Sequence, residues 1–192
     1  MGGHGSIAVD LMLDCKGLAC PMPIVKTKKA MGQIQPGQVV EVQATDRGSL
    51  ADMKGWANTT GHHYLGTREE EGVLYHYLRK ANPLEVKEEV AFPHTISSEG
   101  LHSMMKQSTV AILDVREPAE YAFGHIPGAI SIPLGVLPER LSELKPNEEL
   151  YVICRSGTRS DLACRLLAEN GLTQVKNVVP GMAEWTGPIE QA

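Results

Sequence analysis

The residues best suited to chemistry are Cys154 and the short polar loop that follows it. The apolar run Leu150-Tyr-Val-Ile153 ends at this cysteine, the loop Arg155-Ser-Gly-Thr-Arg159 comes next, and a helix-like run begins at Asp161. A strand, a tight loop and a helix in this order place the thiol at the carboxyl end of a strand. Open α/β sheets bind their ligands at that edge. The sequence therefore predicts a reactive thiol at a sheet edge.

Three features of the loop are predicted to favour the thiolate form of Cys154. Loop amides can form a nest that faces the sulfur, and the following helix adds its positive end. Two guanidinium groups, those of Arg155 and Arg159, add full positive charge. The residues expected to surround a bound anion are Arg155, Ser156, Gly157, Thr158, Arg159 and Ser160. Because the thiolate is the nucleophilic form, the loop alone predicts an activated thiol.

Three motifs of the second half resemble those of the single-domain rhodaneses, which are sulfurtransferases. Cys154-Arg-Ser-Gly-Thr-Arg159 resembles the active-site loop of this family. The upstream motif is matched by Leu113-Asp-Val-Arg-Glu-Pro-Ala-Glu-Tyr121 and Gly124-His-Ile-Pro-Gly-Ala-Ile-Ser-Ile-Pro133. Gly181-Met-Ala-Glu-Trp185 is similar to the closing motif, with Pro180 where a second glycine is more usual. The resemblance implies that Cys154 carries a sulfane sulfur as a persulfide.

Two other functions stay open for the Cys154 loop. Phosphatases and arsenate reductases also use a cysteine loop that ends in arginine, but they generally place five residues between the two. Four residues separate Cys154 from Arg159, and this smaller loop fits one sulfur atom better than a tetrahedral oxyanion. The second alternative is a non-catalytic persulfide or redox sensor, or a sulfur-trafficking adaptor, that acts through a partner protein.

A second candidate thiol, Cys20, lies in the first half, in the segment Cys15-Lys-Gly-Leu-Ala-Cys-Pro-Met-Pro23. Pro21 suits the first position of a helix, where its missing N–H would have no partner in any case. This places Cys20 at the N-cap, where free amides and the helix dipole are predicted to stabilise a thiolate or persulfide. Cys15 is interpreted as a buried small hydrophobe, and a supporting redox role is the alternative.

The segment around Cys20 resembles the TusA family of small sulfur-carrier proteins. The likeness covers about residues 8–80 and also includes Trp56 and the pair Gly61-His62. The family's carrier cysteine maps onto Cys20, which stands directly before Pro-x-Pro. Asp46-Arg47 departs from the more usual Asp-Pro, and we expect this difference to affect a turn and not the thiol.

The order of the predicted elements indicates an α/β chain with two domains. Residues 8–80 form a β-α-β-α-β-β two-layer sandwich, and residues 95–192 a parallel sheet with helices on both faces. Residues 81–94, which are charged and bracketed by prolines, are assigned to a linker. A helix is predicted at 137–144.

Three polar residues near the predicted sheet edge are candidate supports for the Cys154 loop. Asp114 should sit at the carboxyl end of its strand, near the point where Cys154 emerges. Arg116 and Glu117 follow it closely, and a network of ion pairs among the three could brace the loop. Cys164 falls on the apolar side of its helix and is interpreted as buried and inert.

Composition narrows the function classes further. The net charge is −5 and the pI about 5.8, which argues against a nucleic-acid partner. No apolar run approaches membrane-spanning length and no signal-peptide pattern is present, so no membrane association is expected. Four irregularly spaced cysteines do not indicate a secreted disulfide framework, and a cytoplasmic location is predicted. No metal is expected, because zinc-ligand spacing is absent.

The combined prediction is a two-domain sulfurtransferase. Cys154 would take a sulfane sulfur from a small donor, either thiosulfate or a low-molecular-weight persulfide, with Arg155 and Arg159 binding the anionic group of the donor. Cys20 would then relay the sulfur to an acceptor, either a sulfur-relay protein or a thiol. The two resemblances imply no cofactor.

Overall fold

The chain divides into two compact units, Met1–Leu84 and Glu85–Ala192, and the computed structural model describes residues 7–82 and 92–192. Most of the predicted linker 81–94 lies outside the described residues. Within the described ranges, no helix has the length and apolar character needed to cross a bilayer.

The first unit is a four-stranded sheet covered by two helices, as the β-α-β-α-β-β prediction requires. The strands stand in the order β1-β2-β4-β3, with β1 and β2 parallel and the other pairs antiparallel. The elements in chain order are β1 Leu11–Cys15, α1 Met22–Gln33, β2 Val39–Ala44, α2 Ser49–Thr60, β3 His63–Glu70 and β4 Val73–Arg79.

The core of the first unit lies between the sheet and its helices. Val40 and Val42 of β2 pack in one cluster with Met31 of α1 and Met53 of α2, and all four are buried. Helix α2 ends at Gly61, whose φ of +77° places it in the left-handed region that favours glycine at a helix end.

The second unit is a five-stranded parallel sheet in the order β5-β9-β8-β6-β7, which confirms the predicted fold class. The strands are β5 Thr95–Ser97, β6 Ala111–Asp114, β7 Ile130–Ser131, β8 Leu150–Ile153 and β9 Val175–Val179. The helices are α3 Ser98–Met105, α4 Pro118–Phe123 and α5 Thr158–Glu169.

Strand β8 is the central strand and is buried on both faces. Leu150 and Val152 pack in one apolar cluster, and Tyr151 and Ile153 pack in another. Alternate residues therefore face opposite layers, as a parallel sheet covered on both sides requires. The residue that leaves this strand, Cys154, emerges at the middle of the sheet.

Three details of the second unit differ from the prediction. The helix predicted at 137–144 is instead two 3₁₀ segments, Leu134–Glu139 and Leu141–Glu143. Pro138 lies inside the first segment and has no N–H to donate within a longer α-helix. The short elements α4 and β5 were not predicted.

Candidate active site

Cys154 directly follows β8 and is 1% exposed. Its sulfur accepts hydrogen bonds from the Gly157 amide at 3.1 Å and from the Ser160 hydroxyl at 3.3 Å. Gly157 has a φ of +89°, and an added Cβ would lie 3.2 Å from Cγ1 of Val179. A glycine is therefore suited to turn this amide toward the sulfur. The arrangement can stabilise negative charge on Cys154 or on a sulfur bound to it.

Asn177 of β9 holds two parts of this loop and was not predicted as a site residue. Its Nδ2 donates to the Gly157 carbonyl at 3.0 Å, and its Oδ1 accepts from the Ser160 hydroxyl at 2.6 Å. All three residues are buried. The single hydroxyl proton of Ser160 can go either to Asn177 or to the sulfur, and a charged sulfur competes for it.

Arg159 is held in a buried ion pair, which corrects its predicted role in donor binding. Its guanidinium forms a bidentate pair with the Glu120 carboxylate of α4, with Nη1–Oε2 at 2.7 Å and Nη2–Oε1 at 2.9 Å. The side chains are only 4% and 3% exposed. Arg159 therefore fixes the start of α5 against α4, and its charge is compensated.

The remaining loop residues differ in exposure. Arg155 and Ser156 are exposed, and Thr158 is half-buried as the first residue of α5. Of the two loop arginines, only Arg155 presents its side chain to solvent beside the cysteine. It is the cation best placed to meet an anionic donor.

Asp114 and Arg116 form a buried ion pair at the end of β6. Arg116 Nη2 donates to Asp114 Oδ2 at 2.6 Å and to the Gly124 carbonyl at 2.7 Å. Asp114 is the partner of Ile153 in the neighbouring strand β8, so this pair lies close to the origin of the loop. Glu117 has another role, since it is the N-cap of α4 and its amide donates to Glu120 at 3.1 Å.

The segment that begins at Gly181 holds the backbone of the Cys154 loop through hydrogen bonds. The Met182 amide donates to the Cys154 carbonyl at 2.8 Å, and the Ala183 amide donates to the Arg155 carbonyl at 2.9 Å. Gly181 has a φ of +94°, and a Cβ at this position would clash with the Cys154 carbonyl oxygen. The closing motif thus fixes the backbone at the thiol.

Cys20 lies in the first unit, one residue further from α1 than predicted. The N-cap of α1 is Pro21 and the helix begins at Met22. The Cys20 amide donates to Asp46 Oδ2 at 3.2 Å, and the side chain is exposed. The turn at Asp46-Arg47 therefore contacts the backbone of this cysteine through Asp46.

Two carboxylates, and not helix amides, dominate the environment of the Cys20 thiol. Cys20 lines an open, shallow pocket with Asp46 and Asp52, together with Ser49, Pro23 and Ile24. A hydrogen bond to Asp52, partial desolvation, and the charges of Asp52 and Asp46 raise the pKa of the Cys20 thiol. The predicted stabilisation of a thiolate at Cys20 is therefore corrected, because negative groups oppose its ionisation.

Cys15 and Cys164 are buried in the cores of the two units. Burial is the first cause that raises the pKa of each thiol above its ordinary value. Both side chains therefore pack as small hydrophobes. Among residues 7–82 and 92–192, no group of three or more His, Cys, Asp or Glu side chains could hold a metal ion.

Comparison with known proteins assigns both units to families. Residues 12–80 match the family model "Sulfurtransferase TusA", and residues 97–188 match the model "Rhodanese-like domain". The Bacillus subtilis protein YrkF, named as a candidate sulfur carrier, is 47% identical over 94% of this chain and 97% of its own length.

Two further matches cover about half of the chain. A protein of Allochromatium vinosum named as a sulfurtransferase is 37% identical over 47% of this chain and 85% of its own length. The solved structure of a rhodanese-like domain protein from Staphylococcus aureus is 34% identical and covers 52% of this chain and 98% of its own, with a TM-score of 0.49.

Proposed function

This chain belongs to the proteins that join a TusA sulfur-carrier domain to a rhodanese-like domain, and from this premise we propose a two-step sulfur relay. Cys154 takes a sulfane sulfur from thiosulfate or a low-molecular-weight persulfide. Cys20 receives that sulfur and passes it to a sulfur-relay protein or a thiol. Sulfur transfer is the activity of both families, and the donor, the acceptor and the relay are the proposal.

The observation that supports this proposal most strongly is the set of hydrogen-bond donors around the Cys154 sulfur. With thiosulfate, the Cys154 sulfur attacks the outer sulfur of the donor, the sulfur–sulfur bond to the sulfonate breaks, and sulfite leaves with the electron pair. The persulfide that remains is anionic, and the Gly157 amide and the Ser160 hydroxyl are the groups placed to stabilise it. Because Cys154 is 1% exposed, a donor that presents one terminal sulfur atom is favoured.

The arginine positions support sulfur chemistry over oxyanion chemistry. A phosphatase loop needs its terminal arginine to hold the oxyanion, but Arg159 is committed to Glu120 on both of its terminal nitrogens. Arg155 is exposed and remains to orient the anionic end of thiosulfate. We therefore propose no phosphatase or arsenate reductase activity.

Cys20 fits the carrier role because it is exposed, whereas Cys154 is buried. A carrier thiol must meet the reactive sulfur of more than one partner, and an exposed loop allows this. The domain limits 8–80 and 95–192 and the cytoplasmic location remain predictions that accompany the proposal.

The direct test is a steady-state thiosulfate sulfurtransferase assay with a thiol acceptor. We expect Cys154→Ser to abolish turnover, because the alcohol is neither ionised nor nucleophilic toward sulfur. Cys164→Ala, the other cysteine of this unit, serves as the control for general damage. Retention of a third of the wild-type rate by Cys154→Ser would contradict the assignment. Labelling of wild type without turnover would instead favour the sensor.

A further inference from the structure

The pocket beside Cys20 contains a carboxylate that the proposed carrier role does not yet use. Asp52 lies on α2, is half-buried, and lines the same pocket as Cys20. The charged groups that line this pocket are Asp46 and Asp52, and both are negative. Such surroundings disfavour a resting thiolate, although the attack on a sulfane sulfur needs one at the moment of reaction.

The two carboxylates have different partners. Asp46 accepts the Cys20 amide on Oδ2 at 3.2 Å and the Gly48 amide on Oδ1 at 3.0 Å, so both of its oxygens hold the backbone. Asp52 instead lines the pocket beside the Cys20 side chain and raises the pKa of its thiol. Asp46 is thus a positioning residue, and Asp52 is in reach of the reacting proton.

We propose that Asp52 is a catalytic residue of the carrier step, which rests on the proposed relay: its carboxylate takes the Cys20 thiol proton during attack and returns it to the sulfur that arrives. The Cys20 sulfur bonds to the outer sulfur of a persulfide, and the bond between that outer sulfur and its first carrier breaks. The first carrier leaves with the electron pair as a thiolate.

The step balances without an outside acid or base. Before transfer, one persulfide anion faces one neutral Cys20 thiol, and afterwards one thiolate faces one neutral Cys20 persulfide. The charge stays at the donor site, which at Cys154 is lined by the Gly157 amide and the Ser160 hydroxyl. The proton stays beside Asp52, where negative neighbours favour the neutral persulfide.

The experiment compares two reactions of Cys20 in the full-length chain. In the first, the protein is mixed with one equivalent of thiosulfate, quenched at intervals and digested. Mass spectrometry then follows the added sulfur on the Cys154 and Cys20 peptides. In the second, iodoacetamide alkylation of Cys20 is timed between pH 6 and 9. The variants are Asp52→Asn, Asp52→Glu and Asp46→Asn.

We expect the two reactions to change in opposite directions in Asp52→Asn. Loss of the negative charge makes the thiol easier to ionise, so alkylation at pH 7 becomes faster. Loss of the proton acceptor slows sulfur arrival on Cys20 by roughly 100-fold, while loading of Cys154 is unchanged. Wild-type transfer should vary little between pH 6 and 8, and the residual transfer in Asp52→Asn should rise about tenfold per pH unit. Asp52→Glu should restore part of the rate.

Three results would overturn this role. If Asp52→Asn speeds both reactions, the carboxylate only tunes the charge of the pocket. If Asp46→Asn slows sulfur arrival as much as Asp52→Asn does, the effect is structural. A wild-type chain whose Cys20 never gains sulfur would refute the relay itself, whereas equal loading of wild type and Asp52→Asn would refute only the role of Asp52.

Discussion

Arg159→Met is expected to destabilise the second unit strongly, because it leaves the Glu120 carboxylate buried without its counter-charge. Both side chains of the pair are almost fully buried, and their two contacts of 2.7 and 2.9 Å make the pair bidentate. Removing one partner of a buried ion pair costs about 3–5 kcal/mol of unfolding free energy. An exposed pair would cost less than about 1 kcal/mol.

Urea unfolding followed by tryptophan fluorescence measures this loss. The chain has two tryptophans, Trp56 in the first unit and Trp185 in the second, so Trp56→Phe isolates the signal of the second unit. With a denaturant slope of about 1.5 kcal/mol per molar urea, the midpoint should fall by about 2–3 M. Glu120→Gln combined with Arg159→Met should lose less than Arg159→Met alone, since no buried charge is left unpaired.

Arg155→Ala is the matched control for the charge of the loop. Arg155 is exposed, so its removal should change the unfolding free energy by less than about 0.5 kcal/mol and should raise the KM for thiosulfate. If Arg159→Met instead keeps the wild-type midpoint and raises the KM as much as Arg155→Ala, then Arg159 faces the donor and our account of the loop is refuted.

Two further predictions concern buried polar groups. Asn177→Ala frees both the Gly157 carbonyl and the Ser160 hydroxyl, and we expect about 1–3 kcal/mol of lost stability and a lower kcat for thiosulfate; an unchanged kcat would show that this amide does not position the loop. Burial lowers the pKa of His76 from 6.5 to about 4. Between these two pH values, the unfolded chain therefore binds a proton that the folded chain does not bind. The unfolding free energy of the first unit should therefore have its full value above pH 6.5 and should decrease by roughly 3 kcal/mol as the pH drops to about 4. Unfolding of the first unit is followed by Trp56 fluorescence in a Trp185→Phe background. His76→Gln should weaken the dependence of the unfolding free energy on pH, and an unchanged dependence in this variant would contradict the prediction.

Much of the fold was predictable because its signals are local. The apolar run of β8 is bounded by polar residues on both sides. Helix α2 ends before Gly61, which adopts the left-handed conformation that favours glycine. The helix predicted at 137–144 does not form, because Pro138 interrupts a weak pattern of apolar residues. Helix α4, of six residues, is too short for its periodicity to be recognised.

The candidate site was predictable only where its parts are close in sequence. The Cys154 loop places its own amide and hydroxyl at the sulfur, and the sequence indicates this. Arg159 was assigned to the donor because its partner Glu120 stands 39 residues earlier, where no local pattern connects the two. Glu120 does lie in the Pro118-Ala-Glu120 segment of a helix start, a signal for a cap and not for a salt bridge.

The prediction for the surroundings of Cys20 was wrong for the same reason. Local sequence indicates a helix start and predicts favourable amides, but the carboxylates come from the β2–α2 loop and from α2, which pack beside it. Aspartates in these positions are also ordinary turn and first-turn residues, as Asp52 is in α2. Only the tertiary structure shows that both line one pocket with Cys20.

The central claim, that sulfur passes from Cys154 to Cys20, is tested most directly by mapping sulfur in a single turnover. The full-length protein is loaded with one equivalent of thiosulfate at low protein concentration, and its peptides are weighed. We expect the added sulfur on both the Cys154 and the Cys20 peptides of wild type, and on neither peptide of Cys154→Ser. If Cys20 gains sulfur equally well in Cys154→Ser, or never gains it in wild type, the relay is contradicted.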